Sequence, residues 1–121
     1  MGSTFRNQSQ LAERLTEKFL IGRGFKIQKR NYRQIGTEID LIANHNDTLA
    51  FVEVKFRRSG ANQIDLESLM GKRKRAALKR GALSYLYETD SSPNIIRFDL
   101  SLVYPKQGKL LIKYWQNILE F

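Results

Sequence analysis

Two short segments of the sequence decide its fold: GTEIDLIA at residues 36–43 and FVEVKFR at residues 51–57. Both alternate between apolar and polar residues, and a period of two is typical of β-strands. We predict strands over Glu38–Ala43 and Thr48–Arg57, because the segment between them is rich in turn-forming residues. The two strands then form a hairpin and lie next to each other in a sheet.

Alternation also assigns the charged side chains of these strands to faces. It places Glu53 and Lys55 on one face of the second strand, and Asp40 on one face of the first. On the second strand, it predicts that Phe51 shares the face of Glu53 and that the opposite face has Val52, Val54 and Phe56. On the first strand, it predicts that the face of Asp40 also has Glu38 and Ile42 and that the opposite face has Ile39, Leu41 and Ala43. Because the strands are neighbours, we expect Asp40, Glu53 and Lys55 to converge on one face of a strongly apolar sheet.

Charges on such a sheet are costly unless they are paired or bind a metal. Mg²⁺ is a hard ion that is held by one or two carboxylates, several waters and substrate phosphate. Asp40 and Glu53 are therefore candidate Mg²⁺ ligands, and Lys55 is a candidate partner for a water or a phosphate oxygen. The alternative is a solvated face with a cross-strand ion pair, and the spacing by itself leaves both open.

The periodicity of the rest of the chain predicts one α/β domain over residues 1–121 with the order αβββαβ(β). Apolar residues at helical spacing follow a capping pattern at Asn7 and Gln10, and Gly22 ends this first helix. The other predicted elements are a strand at 25–33, a helix at 69–87, a strand at 96–104, and a strand at 110–115 with a short helical tail after it. We therefore expect a mixed β-sheet flanked by helices.

The composition excludes several classes of protein. The chain has no cysteine, which rules out disulfides, thiolate zinc sites and a cysteine nucleophile. It has no apolar run long enough to span a membrane and no apolar core of a secretory signal, so we expect a cytoplasmic protein. The single histidine, His45, lies in the predicted turn, where we expect it to be structural or exposed. One histidine also argues against two-histidine nuclease sites.

The net charge of +9 favours polyanionic partners such as DNA, RNA or an anionic lipid surface. Most of the clustered charge lies in the second helix. We expect these residues to contact nucleic acid: Lys72, Arg73, Lys74, Arg75, Lys79 and, at the end of a strand, Arg57. Tyr32 and Tyr85 could stack on bases, although core packing is the stronger expectation for Tyr85. The alternative for the basic run is a solvated helix face.

The segments at residues 36–43 and 51–57 closely resemble the YraN-like family of uncharacterised bacterial proteins. That family is similar to archaeal Holliday-junction resolvases and belongs to the PD-(D/E)XK nuclease superfamily. The similarity extends through most of the chain and includes these positions: Glu13, Gly24, Asn31, Lys72 and Arg97-Phe98-Asp99. Departures fall at Ser9 and Thr16, which concern helix packing, and at Ile39, which stands where the superfamily name has proline.

The resemblance implies a restriction-endonuclease-like fold and a role for each site residue. Asp40 and Glu53 would bind Mg²⁺ or Mn²⁺, and Lys55 would orient the attacking water or stabilise the transition state. Glu13 would act from the first helix as a second-tier ligand or water holder. Asp99 would be a structural partner of a neighbouring group.

The sequence therefore predicts a metal-dependent endonuclease that hydrolyses phosphodiester bonds of DNA, with branched or otherwise structured DNA among its candidate substrates. Two alternatives stay open. One is a non-catalytic nucleic-acid-binding module that has kept the fold, and the other is a homodimeric interaction subunit. A homodimer fits the resemblance, because related resolvases dimerise to meet symmetric junctions.

Overall fold

The computed structural model describes residues 3–34, 36–58 and 65–119. The elements follow one another in this order: α1 Ser3–Gly22, β1 Lys26–Gln34, β2 Thr37–His45, β3 Thr48–Phe56, α2 Leu66–Leu69, α3 Lys72–Thr89, β4 Ile95–Lys106 and β5 Lys109–Trp115. This succession confirms the predicted order of helices and strands and adds the short helix α2. No helix within these ranges is both long and apolar enough to cross a lipid bilayer.

The strands form one mixed sheet in the order β1-β2-β3-β4-β5. The first three strands pair antiparallel, β4 runs parallel to β3, and β5 runs antiparallel to β4. A parallel pair needs a crossover connection, and α3 lies in the connection from β3 to β4. The protein is therefore of the predicted α/β class, with an open mixed sheet.

Each side of the sheet packs against one long helix. Leu20 of α1 packs with Leu41 and Val52 on one side, which we call the α1 face. Leu78 of α3 packs with Phe51 on the other side, which we call the α3 face. Val52 and Phe51 thus point to opposite faces as predicted, because successive side chains of a strand alternate.

One polar pair ties α1 to the sheet within the α1 face. Thr16 is fully buried, and its hydroxyl donates to the carbonyl oxygen of Ala12 at 2.9 Å. The same hydroxyl lies 2.8 Å from the Oγ of Ser101 on β4, which is also fully buried. Both hydroxyls are therefore hydrogen-bonded. Thr16, which departs from the family pattern, thus leaves no unsatisfied polar group in the core.

Ile39 departs from the predicted alternation of β2. It packs on the α3 face, whereas Leu41 and Ala43 pack on the α1 face, so the prediction that these three share a face is wrong. The β2–β3 ladder ends at Leu41 with Val52, but Ile39 still pairs with Tyr32 of β1. Asn31 lies between the β1 residues that pair with Leu41 and Ile39, and it has a left-handed φ of 50°. Beyond it Tyr32 packs on the α3 face with Ile39, so the two paired strands change face together.

The first helix and the β2–β3 turn differ from their predicted bounds. Helix α1 begins at Ser3, so the capping pattern at Asn7 lies inside the helix and does not start it. Strand β2 continues through His45, which leaves Asn46 and Asp47 as a two-residue turn. Asn46 has a φ of 55°, and a positive φ suits the tight turn of such a hairpin.

The predicted helical tail after β5 is wrong for the part of it that the structure describes. Residues 116–119 are not helical. The backbone N–H of Asn117 donates to the carboxylate of Asp99 at 2.9 Å, and Asn117 has a φ of 54°. A tertiary hydrogen bond and a left-handed residue therefore set the path of the chain at this end.

Replacing Gly24 with alanine is expected to destabilise the protein by about 2 kcal/mol, through a left-handed φ and a steric clash. Gly24 has a φ of 93°, and an added Cβ would lie 2.7 Å from the imidazole Cε1 of His45. The ring cannot move away freely, because its Nδ1 is hydrogen-bonded to the Gly24 carbonyl at 2.8 Å. Urea unfolding measures the change.

Gly22→Ala is the matched control for this substitution. Gly22 ends α1, and an added Cβ there meets no atom within 4 Å. We expect this variant to be as stable as the parent protein or slightly more stable, because alanine favours the helix. Equal stabilities of the two variants would contradict the argument about Gly24.

Candidate active site

Asp40 lies where β2 and β3 separate, and its side chain accepts a hydrogen bond from the β3 backbone in place of a backbone carbonyl of β2. The Oδ2 of Asp40 accepts a hydrogen bond from the backbone N–H of Val54 at 2.8 Å. The β2–β3 pairing has already ended at Leu41 with Val52, so the carboxylate continues the connection between the strands. This contact fixes Asp40 against β3, directly beside Glu53.

The carboxyl groups of Asp40 and Glu53 meet, as the sequence predicts. Glu53 is 3% exposed and Asp40 is half-buried. Burial raises the pKa of Asp40, and a hydrogen bond and charge repulsion from Glu53 raise it further, to about 9, against a smaller opposing effect of the Val54 amide. Two acids this close cannot both ionise readily without a cation. The metal-free pair therefore retains a proton at neutral pH.

Lys74, on the first turn of α3, is the cation that contacts this pair. Its Nζ lies 2.8 Å from the Oε2 of Glu53. Burial lowers the pKa of Lys74, but the hydrogen bond and the charge of Glu53 outweigh burial, and the pKa is raised overall. Apart from this ion pair, the buried Oε2 of Glu53 has no hydrogen-bond partner among the described residues.

Lys55 lies two residues after Glu53 on the same strand, but the cation in contact with Glu53 is Lys74 and not Lys55. It forms no hydrogen bond or ion pair with any other side chain in the described ranges. It lines a hollow of about 460 Å³ between the start of α1 and the end of β3. The hollow has these lining residues: Gln8, Ser9, Val54, Lys55, Phe56, Arg57 and Arg58. Its walls are therefore cationic and are suited to an anionic ligand.

Glu13 approaches the acid pair from α1. Burial raises the pKa of Glu13, and the charges of Glu38, Glu17 and Glu53 raise it further. The charge of Glu13 in turn adds to the raised pKa of Asp40. Glu38 is half-exposed and pairs with Arg33, with Nε and Oε1 at 3.3 Å. Glu13 thus belongs to the same negative region, whereas Glu38 has a partner of its own.

The oxygen donors at this site fit a divalent cation. Asp40 and Glu53 supply two adjacent carboxylates, and the buried Oε2 of Glu53 has no partner but Lys74 among the described residues. Mg²⁺ commonly binds to one or two carboxylates and fills its remaining positions with water and phosphate. Within the described ranges no three acidic or histidine side chains gather into a metal-binding group. The role of Glu13 as a ligand therefore stays a prediction.

The basic run of α3 divides among several environments. Lys72 and Arg73 are exposed at the start of the helix. Lys74 turns toward Glu53, and the Nε of Arg75 donates to the carbonyl oxygen of Met70 at 3.1 Å. Lys79 is half-buried. The predicted nucleic-acid contacts of this run therefore differ in solvent exposure, and Lys72 and Arg73 are the most exposed.

Arg57, the remaining predicted contact, is exposed at the end of β3, where its Nη1 donates to the carbonyl oxygen of Phe56 at 2.8 Å. Its guanidinium forms no ion pair with an acidic side chain among the described residues. Arg57 lies two residues after Lys55, and both side chains line the hollow.

Burial and contacts decide the predictions for Tyr32, Tyr85 and His45. Tyr32 is 5% exposed and packs edge-on against Tyr85 with ring centroids 5.3 Å apart. Core packing is thus confirmed for Tyr85, and base stacking by Tyr32 is wrong because its ring is buried. His45 bonds to the Gly24 carbonyl and lies 5.3 Å from the ring of Phe25, which confirms its structural role.

Asp99 has the structural role that the sequence predicts. Its buried carboxylate accepts hydrogen bonds from the guanidinium of Arg97, the hydroxyl of Tyr114 and the backbone of Asn117, at 2.7 to 3.3 Å. These contacts join β4 to β5 and to the segment after it.

Sequence reasoning missed the position of Lys74, although a signal was present. Lys74 lies four residues before Leu78 and eight before Ala82, and both are buried on the helix side that faces the sheet. Residues at this spacing share one side of a helix. A lysine at the head of a buried stripe therefore indicates a cation that points toward the sheet.

Comparison with known sequences places the chain in a family. A sequence profile described as uncharacterised protein family UPF0102 matches residues 12–103. A UPF0102 protein of Carboxydothermus hydrogenoformans is 32% identical over 116 residues, which cover 96% of this chain and 98% of the relative. A UPF0102 protein of Parafrankia sp. is 38% identical over 106 residues, with 87% and 89% covered.

A third relative gives a higher identity over a shorter region. A UPF0102 protein of Desulfosudis oleivorans is 42% identical over 91 residues, which cover 75% of this chain and 73% of the relative. The profile and these relatives extend well beyond the two strand segments, and they confirm the YraN-like resemblance of the sequence. The chain therefore belongs to the UPF0102 family.

Proposed function

We propose that the protein is a divalent-metal-dependent endonuclease that hydrolyses phosphodiester bonds of DNA. The observation that carries this proposal is the meeting of Asp40 and Glu53, whose adjacent carboxyls raise the pKa of Asp40 far above its ordinary value. Burying two adjacent carboxyls destabilises the metal-free protein, and a bound cation would offset their repulsion. A functional site accounts for this cost better than a structural ion pair does.

The fold supports the same proposal. The acid pair lies where two antiparallel strands separate, beside a parallel strand and between a helix on each face. This placement agrees with the restriction-endonuclease-like fold that the sequence resemblance implies. Val54, whose N–H binds Asp40, and Lys55, which follows it, line the cationic hollow, so the hollow begins beside the acid pair.

The proposed mechanism assigns a separate task to each group. Asp40 and Glu53 would hold Mg²⁺ or Mn²⁺, which when bound supplies a water of lowered pKa and offsets negative charge at phosphorus. Lys55 would contact a non-bridging phosphate oxygen from the hollow and so hold the phosphorus in line with the water. Attack of the water oxygen would form a new P–O bond and break the bond from phosphorus to one sugar oxygen. The water's proton would pass to solvent and the sugar oxygen would take up a proton from solvent, which gives a phosphate monoester and a free hydroxyl. Glu13 would add negative potential from α1 that favours the cation.

The basic groups around the site would hold the substrate backbone. Lys55, Arg57 and Arg58 line the hollow at the end of β3, and Lys72 and Arg73 are exposed at the start of α3. Contacts to phosphate are independent of base sequence and release counterions, so affinity falls as salt rises. The net charge of +9 adds to this attraction.

Incubation with branched, nicked and linear DNA tests the proposal. We expect cleavage of at least one substrate in the presence of Mg²⁺ or Mn²⁺, and none in EDTA, because the attacking water depends on the ion. Gel electrophoresis of end-labelled DNA measures the products. Absence of cleavage across this panel at protein excess would rule out the catalytic function.

A non-catalytic nucleic-acid-binding module is the second candidate, and the Lys74–Glu53 ion pair favours it. This pair neutralises a buried carboxylate at 2.8 Å without a metal. In that case DNA binding would be sensitive to salt and would survive Asp40→Ala and Glu53→Ala, while no metal-dependent cleavage would occur. Fluorescence anisotropy with labelled DNA separates these outcomes, and solution mass measurement tests the homodimeric alternative.

A further inference from the structure

The ion pair between Lys74 and Glu53 has no task in the mechanism proposed above. We propose that Lys74 is a built-in counter-cation of the acid pair. In the metal-free protein it holds Glu53, it leaves Glu53 when a divalent cation binds, and it then contacts a phosphate oxygen of the bound nucleic acid. This inference rests on the proposed function, because it takes Glu53 as a metal ligand.

The first step of the argument is the position of the ammonium. The Nζ of Lys74 lies 2.8 Å from the Oε2 of Glu53, an oxygen that is buried and otherwise without a hydrogen-bond partner among the described residues. A cation that binds to Glu53 through this oxygen would occupy the same space. Lys74 therefore stands at the position where a metal ion would meet the carboxylate.

The second step is the competition that follows from charge. A divalent cation on Glu53 would repel an ammonium at the distance that Lys74 now has. The two cations therefore exclude each other from the Oε2 of Glu53. In this arrangement Lys74 lowers the affinity of the site for metal and keeps the buried carboxylate paired when metal is absent.

The third step is the freedom of Lys74 to move. Its side chain is 35% exposed, whereas that of Glu53 is 3% exposed, so the lysine has an open path to solvent. A lysine has a flexible stem with a compact charge at its end, and it can exchange one anionic partner for another. The ammonium can leave Glu53 without a movement of the helix.

The fourth step is the partner of the released ammonium. Lys72 and Arg73 are exposed beside Lys74, and the first turn of α3 contains no acidic residue. Lys72 and Arg73 form no ion pair with a described acidic side chain, so this helix start can attract an external anion. A phosphodiester that is held by the metal would lie within the same site, and lysine is a common phosphate contact. Metal and nucleic acid would then each increase the affinity of the protein for the other.

The test is a titration of the protein with Mn²⁺ in which calorimetry measures the dissociation constant. We expect Lys74→Met to bind Mn²⁺ about tenfold more tightly than the parent protein, because the competing charge is gone. Lys72→Met is the matched control, since Lys72 carries the same charge two residues away and is exposed. We expect its affinity for Mn²⁺ to stay within twofold of the parent value.

A second measurement adds a non-cleavable phosphorothioate oligonucleotide. We expect it to raise the Mn²⁺ affinity of the parent protein several-fold more than that of Lys74→Met, because only the parent has an ammonium to transfer. If Lys74→Met folds poorly, Lys74→Gln serves in both titrations, since its amide can still bond to Glu53 without carrying charge. Unchanged or weaker Mn²⁺ binding by the folded variant overturns the inference.

These outcomes separate the inference from the proposed function. Tighter Mn²⁺ binding by Lys74→Met, with no cleavage of any DNA by the parent, would support the counter-cation and contradict the nuclease. Metal-dependent cleavage by the parent, with unchanged Mn²⁺ affinity in Lys74→Met, would support the nuclease and contradict the counter-cation. No Mn²⁺ binding by either protein would contradict both.

Discussion

Asp40→Asn is expected to make the metal-free protein more stable and to remove metal-dependent cleavage. Asparagine has the shape of the aspartate, and its oxygen can still accept the hydrogen bond of the Val54 amide. Its amide group can donate to Glu53, as the protonated carboxyl of Asp40 does in the parent protein. At neutral pH the parent must protonate Asp40 when it folds and the asparagine variant need not, so we expect a gain of at least about 2 kcal/mol.

The gain from Asp40→Asn should grow with pH. The pKa of Asp40 rises from an ordinary value of 3.8 to about 9 in the folded state. The folded protein therefore holds more protons than the unfolded chain between these values, and its stability falls as pH rises through that window. Asparagine does not titrate and lacks this loss. Urea unfolding in EDTA at pH 5 and pH 8 measures both effects.

Cleavage by Asp40→Asn should fall by about a thousandfold, because a neutral amide is a weak ligand for Mg²⁺ and removes charge stabilisation at phosphorus. Glu38→Gln is the matched control on the same strand. Glu38 is half-exposed and paired with Arg33, so its loss should change stability by less than about 1 kcal/mol. A variant Asp40→Asn that is less stable than the parent at pH 8, or that cleaves at the parent rate, would contradict the assignment.

Asp99→Ala is expected to cost about 4 kcal/mol of the free energy of unfolding, because it leaves a half-buried guanidinium without its partner. The carboxylate of Asp99 is fully buried and lies 2.8 Å from the Nη2 of Arg97. It also accepts hydrogen bonds from the Tyr114 hydroxyl at 2.7 Å and from the Asn117 backbone at 2.9 Å. Removal of the carboxylate breaks all of these contacts at once.

Glu17→Gln provides the control for Asp99→Ala. Glu17 forms an ion pair with Arg30 at 2.8 Å, but the arginine side chain is 58% exposed. Solvent screening limits such a pair to about 1 kcal/mol or less. Urea unfolding compares the two variants at pH 7. Similar losses for both would show that burial of the Asp99 network does not carry the stability that we assign to it.

Much of the fold follows from periodicity that is local in the sequence. The alternation around Phe51 and Val52 correctly predicts a strand with one side chain in each core. The same alternation, together with a short turn, predicts that Asp40 and Glu53 come from neighbouring strands, and their carboxyls do meet. These predictions succeed because strand geometry fixes the direction of each side chain from the residues next to it.

The predictions that failed depend on contacts between distant parts of the chain. Ile39 lies on the unexpected face because β1 and β2 change face together at Asn31, which has a φ of 50°, and the alternation around Ile39 does not signal that change. Tyr32 is buried because Tyr85, from a helix far along the chain, packs on its ring. The pattern of one strand cannot report where its neighbour changes direction or which helix will cover it.

The sequence by itself determined the α/β class, the order of the elements, the family and the two acids that form the candidate site. The tertiary structure alone decided which cation approaches those acids, since Lys74 lies 21 positions after Glu53 and reaches it only when α3 folds over the sheet. The physical reason is that side-chain direction within a strand is a local property, whereas an ion pair between two elements depends on how they pack.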